Sequence, residues 1–286
     1  IVTDTHWTCD AAPAGPRTVT SLGPVSAPLG PWPAVIGAAE ATPASSNTVQ
    51  DGFDVERLVS AGPGEGSWGA LCCDPKGRFI VSPQYGNLLR ITLPTKLGRV
   101  PLVEPVDLPL GHAQGLTWAH DSLYVVANAE LGGNGGVWRC RDADGDGRYE
   151  AVDRIFACGP DGEHGAHGIC EGPDGRMYVV LGNHVTDVAD GQAIQDGRRH
   201  PPAAFAATSP LTLYDEDLTL PRAWDPNGHA VGNIAPGGVV VSMEPDGARL
   251  ELVAGGFRNA YDLAFSAQGE LFSYDSDMEW DVGLPW

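Results

Sequence analysis

"GICEGPDGRMYVVLG", residues 168–182, decides how the rest of the chain reads. A short apolar run meets a polar Gly-Pro-Asp-Gly turn, and the turn opens into a run of β-branched and bulky residues. That is the grammar of a two-stranded hairpin. The same plan recurs in "GALCCDPKGRFIVS" (69–82), "GLTWAHDSLYVVA" (115–127) and "DLAFSAQGELFSYD" (262–275). The turns fall at Gly77, Ser122, Gly175 and Gly269, separated by 45, 53 and 94 residues, the last being about two units. A period of roughly 40–50 residues with several strands per unit is the signature of a β-propeller. A further hairpin, "GGVVVSMEPDGARLELVAGG" (237–256), lies between repeats. The pattern predicts an all-β chain of about four blades with the last only begun. A propeller closes on itself to remove sheet edges, so an open set reads as incomplete at the C-terminal end.

Composition fits. The 286 residues include 38 Gly and 24 Pro, more than a fifth of the chain, with an ordinary hydrophobic fraction of 42%. Such a chain has many turns and still enough apolar matter for a core. Residues 1–51 are rich in Pro, Ala, Ser and Thr and read as a leader or linker. Residues 52–286 form the predicted propeller, with a long proline-containing loop over about 186–235. A loop of that length is commonly functional or disordered, and Trp224 and His229 mark a part that could cover a site. The chain begins "IVTDTHWTCD" and ends "MEWDVGLPW" just after a strand, which reads as a piece of a longer protein.

The formal net charge is −20, from 17 basic and 37 acidic residues. A surface this acidic repels phosphate backbones and anionic membranes, and it favours cations. No stretch reaches the roughly 18 apolar residues of a membrane span. Six cysteines occur without a CxxC or CxxCH spacing, which speaks against a zinc ribbon or covalent haem. Cys140 and Cys158 could pair in an oxidising compartment; small buried residues in strands are the plainer reading.

"DADGDGRYEAVD", residues 142–153, has the spacing of a calcium loop. Asp142, Asp144 and Asp146 fall at positions 1, 3 and 5, and Gly147 supplies the sharp turn at position 6. Arg148 falls at position 7, a main-chain ligand in such loops, and Asp153 at position 12. Strands rather than helices flank it, so a bound calcium would be structural. A solvated acidic turn is the alternative.

Three of the eight histidines, His164, His167 and His184, surround the hairpin at 168–182. His164 stands just before an inner strand, where a side chain can point into the central channel. Imidazole suits general-base work because its ordinary pKa lies near neutrality. Taken singly, each is a turn or surface histidine. Arg258 and Asn259 hold the same place before the last hairpin, and an arginine there can grip a carboxylate bidentately. Asp275, Asp277, Glu279 and Asp281 follow, with an ion-paired acidic loop as the alternative.

These residues carry a resemblance. "HGAHGICEGPDGRMYVVLGN" resembles the H-x7-GPDG-x-[LIM]-Y-x3-G-[DN] segment of the pyrroloquinoline-quinone-dependent glucose/sorbosone dehydrogenases. "GFRNAYDLAFSAQGELFSYD" is similar to that family's G-x-RN-x2-GLAF-x-P-x-G-x-L-W-x2-E segment. Other blocks, among them "GSWGALCCDPKGRFIVSPQYG" and "LPRAWDPNGHAVGNIAPGG", resemble a branch of large exported bacterial proteins in which the propeller precedes helical repeats and a CxxCH haem domain. The resemblance covers roughly residues 52–286.

It implies a six-bladed propeller that oxidises a sugar hydroxyl by hydride transfer to a quinone. Electrons would pass to a cytochrome-type acceptor, a haem domain absent from this chain, and the protein would be periplasmic or on the cell surface. His164 matches the catalytic base, and Arg258 and Asn259 match the pair that contacts the quinone. Asp275 stands where the family usually has glutamate. The family's quinone also binds calcium. Asn183 replaces an aspartate that would orient the base and stabilise its protonated form, and an amide does only the first. Phe272 replaces the tryptophan of the L-W strand. His167 and His184 have no counterpart. Two other readings stand beside this one: a non-catalytic propeller that binds carbohydrate or protein, and a calcium-dependent lactonase-like hydrolase with Asn183, Asn128 and Asp275 around a central metal.

Overall fold

Glycines at fixed places in the repeats build the fold. The computed structural model describes residues 41–95, 100–127, 135–159, 164–185, 187–188 and 238–275. The leader before residue 41, nearly all of the 186–235 loop, Cys9, Asn128, Trp224, His229, Asp277, Glu279 and Asp281 lie outside them. Among the described residues the chain is all-β, with one 3-10 turn at Ala44–Ser46.

The first sheet is a simple meander of β1 (Trp68–Cys73), β2 (Phe79–Pro83), β3 (Leu89–Thr92) and β4 (Leu102–Pro105). The second runs β5 (Ala113–Ala119), β6 (Ser122–Ala127), β7 (Gly136–Arg141) and β8 (Ala151–Gly159). The third begins with β9 (Ala166–Glu171) and β10 (Met177–Leu181), after which β11 (Asp187–Val188) returns to pair with β8. It continues with β12 (Gly238–Met243) and β13 (Glu251–Phe257), and β14 (Leu263–Phe265) and β15 (Leu271–Ser273) form a last hairpin. All pairings are antiparallel. The first strands of successive sheets lie side by side, β1 against β5, β5 against β9 and β9 against β14. That is the radial arrangement of a β-propeller, and the four described sheets correspond to the four sequence repeats.

Close approach of the inner strands explains the glycine that opens the second and third repeats. A Cβ on Gly115 would stand 2.4 Å from the His167 carbonyl oxygen. One on Gly168 would meet Asp262 Oδ1 at 2.7 Å and its Cα at 3.0 Å. The hairpins share one turn. The Gly77, Gly175, Gly247 and Gly269 amides each donate to the carbonyl three residues back, all four with positive φ. The second repeat departs from this plan. Ser122 opens β6, and the turn is made by His120 and Asp121, at φ 46° and 52°, as a two-residue loop.

Core packing follows the period of two. On β10, Met177, Val179 and Leu181 join Tyr124, Val126 and Phe156 between the second and third sheets. Val180 and Tyr178 point the other way, toward Leu263 and Leu271. On β6, Leu123 and Val125 meet Ile80, Leu88 and Cys72 of the first sheet. Each fully buried side chain of this kind contributes about 1.5–3 kcal/mol of transfer free energy, so both faces of the middle sheets hold their neighbours.

Candidate functional site

With the hairpin turns at one end, the strand ends at the other present the chain's polar residues. His164 precedes β9, Asn183 follows β10, Arg258 and Asn259 lie between β13 and β14, and Asp275 follows β15. Backbone hydrogen bonds tie these ends together. The Asn183 amide donates to the Arg258 carbonyl at 2.9 Å, Gly168 to Tyr261 at 2.9 Å, and His184 to the His164 carbonyl at 3.1 Å.

His164 is fully buried, and its Nδ1 lies 2.7 Å from Asn183 Oδ1. An amide oxygen only accepts, so Nδ1 carries the hydrogen and Nε2 carries the lone pair. The imidazole of His184 stacks on that ring, centroids 4.3 Å apart and 21° from parallel. Its Nδ1 accepts from the His164 backbone amide at 3.4 Å.

Asp275 shapes the next turn. Its Oδ2 accepts from the Arg258 amide and its Oδ1 from the Asn259 amide, both at 2.7 Å. Arg258 is fully buried and Asn259 half-buried. His167, to which the sequence assigns no role, is 3% exposed, and its Nε2 sits 2.8 Å from Asn259 Oδ1. Burial pushes its imidazole down to about 4, opposed by the Asn259 hydrogen bond and helped by nearby His164. Tyr261 packs on the ring at 4.9 Å and donates its hydroxyl to Gln114 Oε1 at 2.9 Å, which ties the cluster to β5.

All five residues named for catalysis or cofactor binding, His164, Asn183, Arg258, Asn259 and Asp275, therefore converge. Tyr261, which nothing in the sequence flags, braces them. Of the residues named for a lactonase-type metal, Asn128 lies outside the described residues, Asn183 Oδ1 accepts the His164 hydrogen, and each Asp275 oxygen accepts one backbone amide.

The acidic loop is separate, between β7 and β8. Asp142, Asp144 and Asp146 converge with Glu150, carboxylate atoms lying within 4.8 Å of one another. Each spends one oxygen on a loop amide: Asp142 on Gly147 at 2.9 Å, Asp144 on Asp146 at 3.0 Å, Asp146 on Arg148 at 2.7 Å and Glu150 on Ala143 at 2.8 Å. Lys76 and Arg90 of the first sheet donate to the carbonyls of Gly145 and Gly147. Asp153 stands apart. It lies on β8 and pairs with Arg141 at 2.9 Å, and the fourth carboxylate of the cluster is Glu150 instead.

No family model and no curated protein matches the chain. Solved structures do, at low identity. An oxidoreductase described as a glucose dehydrogenase from Thermus thermophilus is 20% identical over 73% of this chain and 57% of its own, with a TM-score of 0.43. The pyrroloquinoline-quinone-bound aldose sugar dehydrogenase of Streptomyces coelicolor is 18% identical over 73% and 56%, at 0.44. The periplasmic gluconolactonase of Pseudomonas aeruginosa is 15% identical over 77% and 67%, at 0.38. The chain thus spans a little over half the length of the first two. Among the described residues, no helix is long and apolar enough to cross a membrane.

Proposed function

We propose that this chain carries the base and one cofactor-binding edge of a sugar-oxidising site that uses pyrroloquinoline quinone. The observation that carries the reading is the 2.7 Å contact between His164 Nδ1 and Asn183 Oδ1 in a fully buried setting. It fixes the tautomer in which Nε2 is basic, the state a general base needs. The residues present suit the cofactor. A tricarboxylate quinone offers mainly acceptor oxygens, and the guanidinium of Arg258 and the amide of Asn259 are donors. The motif resemblance at 164–183 and 256–275 points the same way.

In this reading His164 Nε2 takes the proton of a sugar hydroxyl as the C–H bond on the same carbon breaks. Pyrroloquinoline quinone, when bound, would supply the hydride acceptor that lets the alcohol leave as a carbonyl compound. Asn183 orients the imidazole but provides no negative charge for the imidazolium. Arg258 and Asn259, held by Asp275, orient the acceptor. A cytochrome-type electron acceptor and an exported location follow from the resemblance alone. Calcium at Asp142, Asp144, Asp146 and Glu150, with the Arg148 main chain, would brace the junction of the first two sheets.

The test is to reconstitute the full-length protein with pyrroloquinoline quinone and calcium and assay dye reduction over a panel of aldoses. Quinone-dependent turnover that His164→Ala abolishes is the expected result. Turnover unchanged in that variant would overturn the assignment of the base. Absence of quinone binding would leave a carbohydrate- or protein-binding propeller or, if a lactone is hydrolysed, a lactonase-like hydrolase.

A further inference from the structure

The hydrogen bond between His167 and Asn259 has a direction, and the direction has a chemical consequence. His167 Nε2 lies 2.8 Å from Asn259 Oδ1. Its other nitrogen, Nδ1, is buried and has no hydrogen-bond partner among the described residues. A hydrogen on Nδ1 would be a buried donor with nothing to receive it, and the Nε2 contact would then face the amide NH2 instead. The tautomer with Nε2–H engages Asn259 Oδ1 and leaves only a lone pair unsatisfied. Burial keeps the ring neutral, so it supplies one donor and no more.

Asn259 is held from two sides. Asp275 fixes its backbone amide at 2.7 Å, and His167 fixes its side-chain oxygen. The same oxygen lies beside Gly182, where an added Cβ would stand 3.0 Å from it and 2.4 Å from the His164 carbonyl oxygen. The amide that meets His167 is therefore packed against the turn that carries the base.

We propose that His167 is a positioning residue: it fixes the Asn259 amide with its oxygen turned inward, so that the NH2 is the group offered to a ligand. This edge of the site then takes an acceptor oxygen, a carbonyl or a carboxylate. The ligand identity rests on the quinone reading above, whereas the orientation of the amide does not.

The experiment titrates the full-length protein with pyrroloquinoline quinone, read by quenching of tryptophan fluorescence. His167→Leu, which removes the donor, raises Kd about tenfold or more. His167→Gln, with an NH2 at similar reach, restores Kd to within about threefold of the parent. Asn259→Asp, which keeps an acceptor for His167 but offers no NH2, weakens binding as Leu does. Parent-like affinity in His167→Leu would overturn the proposal. Should that variant fail to fold, His167→Asn, too short to reach, replaces it.

A second readout separates this device from the quinone reading. Long-range 15N–1H spectra of the unliganded protein show His167 as the Nε2–H tautomer. They also show a shifted Asn259 NH2 pair that collapses toward solvent-exposed values in His167→Leu. If the parent binds no quinone but the spectra hold, the quinone reading fails and the positioning stands. An Nδ1–H tautomer of His167 sinks the positioning whatever binds.

Discussion

Gly115 of β5 passes so near His167 of β9 that a Cβ on the glycine would stand 2.4 Å from the histidine's carbonyl oxygen. Backbone sits on both sides of that contact, so neither partner can swing aside. Gly115→Ala is expected to cost about 1–3 kcal/mol, the range of overpacked cores. Chemical denaturation of parent and variant measures it. A change under about 0.5 kcal/mol would show that the inner strands do not pack this closely.

Under the proposed role of His164 as base, a charge placed beside it should change its titration. Asn183→Asp places a carboxylate against His164, which favours the imidazolium and raises the pKa of the base. In the reconstituted protein the acidic limb of the kcat profile moves to higher pH, by about one unit or more. A profile that does not move means that His164 does not titrate in turnover.

The buried His167 makes stability depend on pH with a definite sign. Its folded value, about 4, lies below the ordinary 6.5 of the unfolded chain. As pH falls through 6.5 the unfolded chain takes up a proton that the folded protein refuses. The stability associated with this group is fully present above about 6.5, is lost as pH falls toward 4, and is flat below. The total is roughly 3 kcal/mol. Denaturant titrations of parent and His167→Gln between about pH 7 and 4 check this, since the variant lacks that part of the slope.

Four carboxylates within 4.8 Å repel one another unless a cation sits among them or the loop is otherwise held. Asp144→Ala is expected to lower Tm in calcium by several degrees and to leave Tm nearly unchanged in chelator. Equal shifts in both would mean that the loop's own hydrogen bonds, with Lys76 and Arg90, hold it without calcium.

The hairpins are legible in the sequence because each turn is written locally. Gly77, Gly175 and Gly269 take the positive φ that their spacing requires. The turn of the second repeat lies a residue or two before the Ser122 that the pattern points to, since nothing about His120-Asp121 advertises a left-handed pair as plainly as glycine would. The residues before and after the inner strands are legible as a group through the repeat. The His167–Asn259 contact is not, because 92 residues separate the partners and only the packing of β9 beside β14 brings them together. Asp153 keeps its loop spacing on paper, but β8 begins at Ala151 and carries it into the ladder, where Arg141 meets it.

His164 and the Arg258–Asn259 pair stand at the ends of neighbouring sheets, joined by three contacts: the Asn183 amide to Arg258, Gly168 to Tyr261, and His167 to Asn259. The site is thus a property of a seam. Each hairpin could keep its own ladder while the seam opened, and the chemistry would vanish with the strands still intact. Under mild denaturant, ligand binding is then the first signal to go and far-ultraviolet circular dichroism the last. Substitutions in the core between the sheets, such as at Val180 or Leu263, would act on ligand binding through the alignment of this seam.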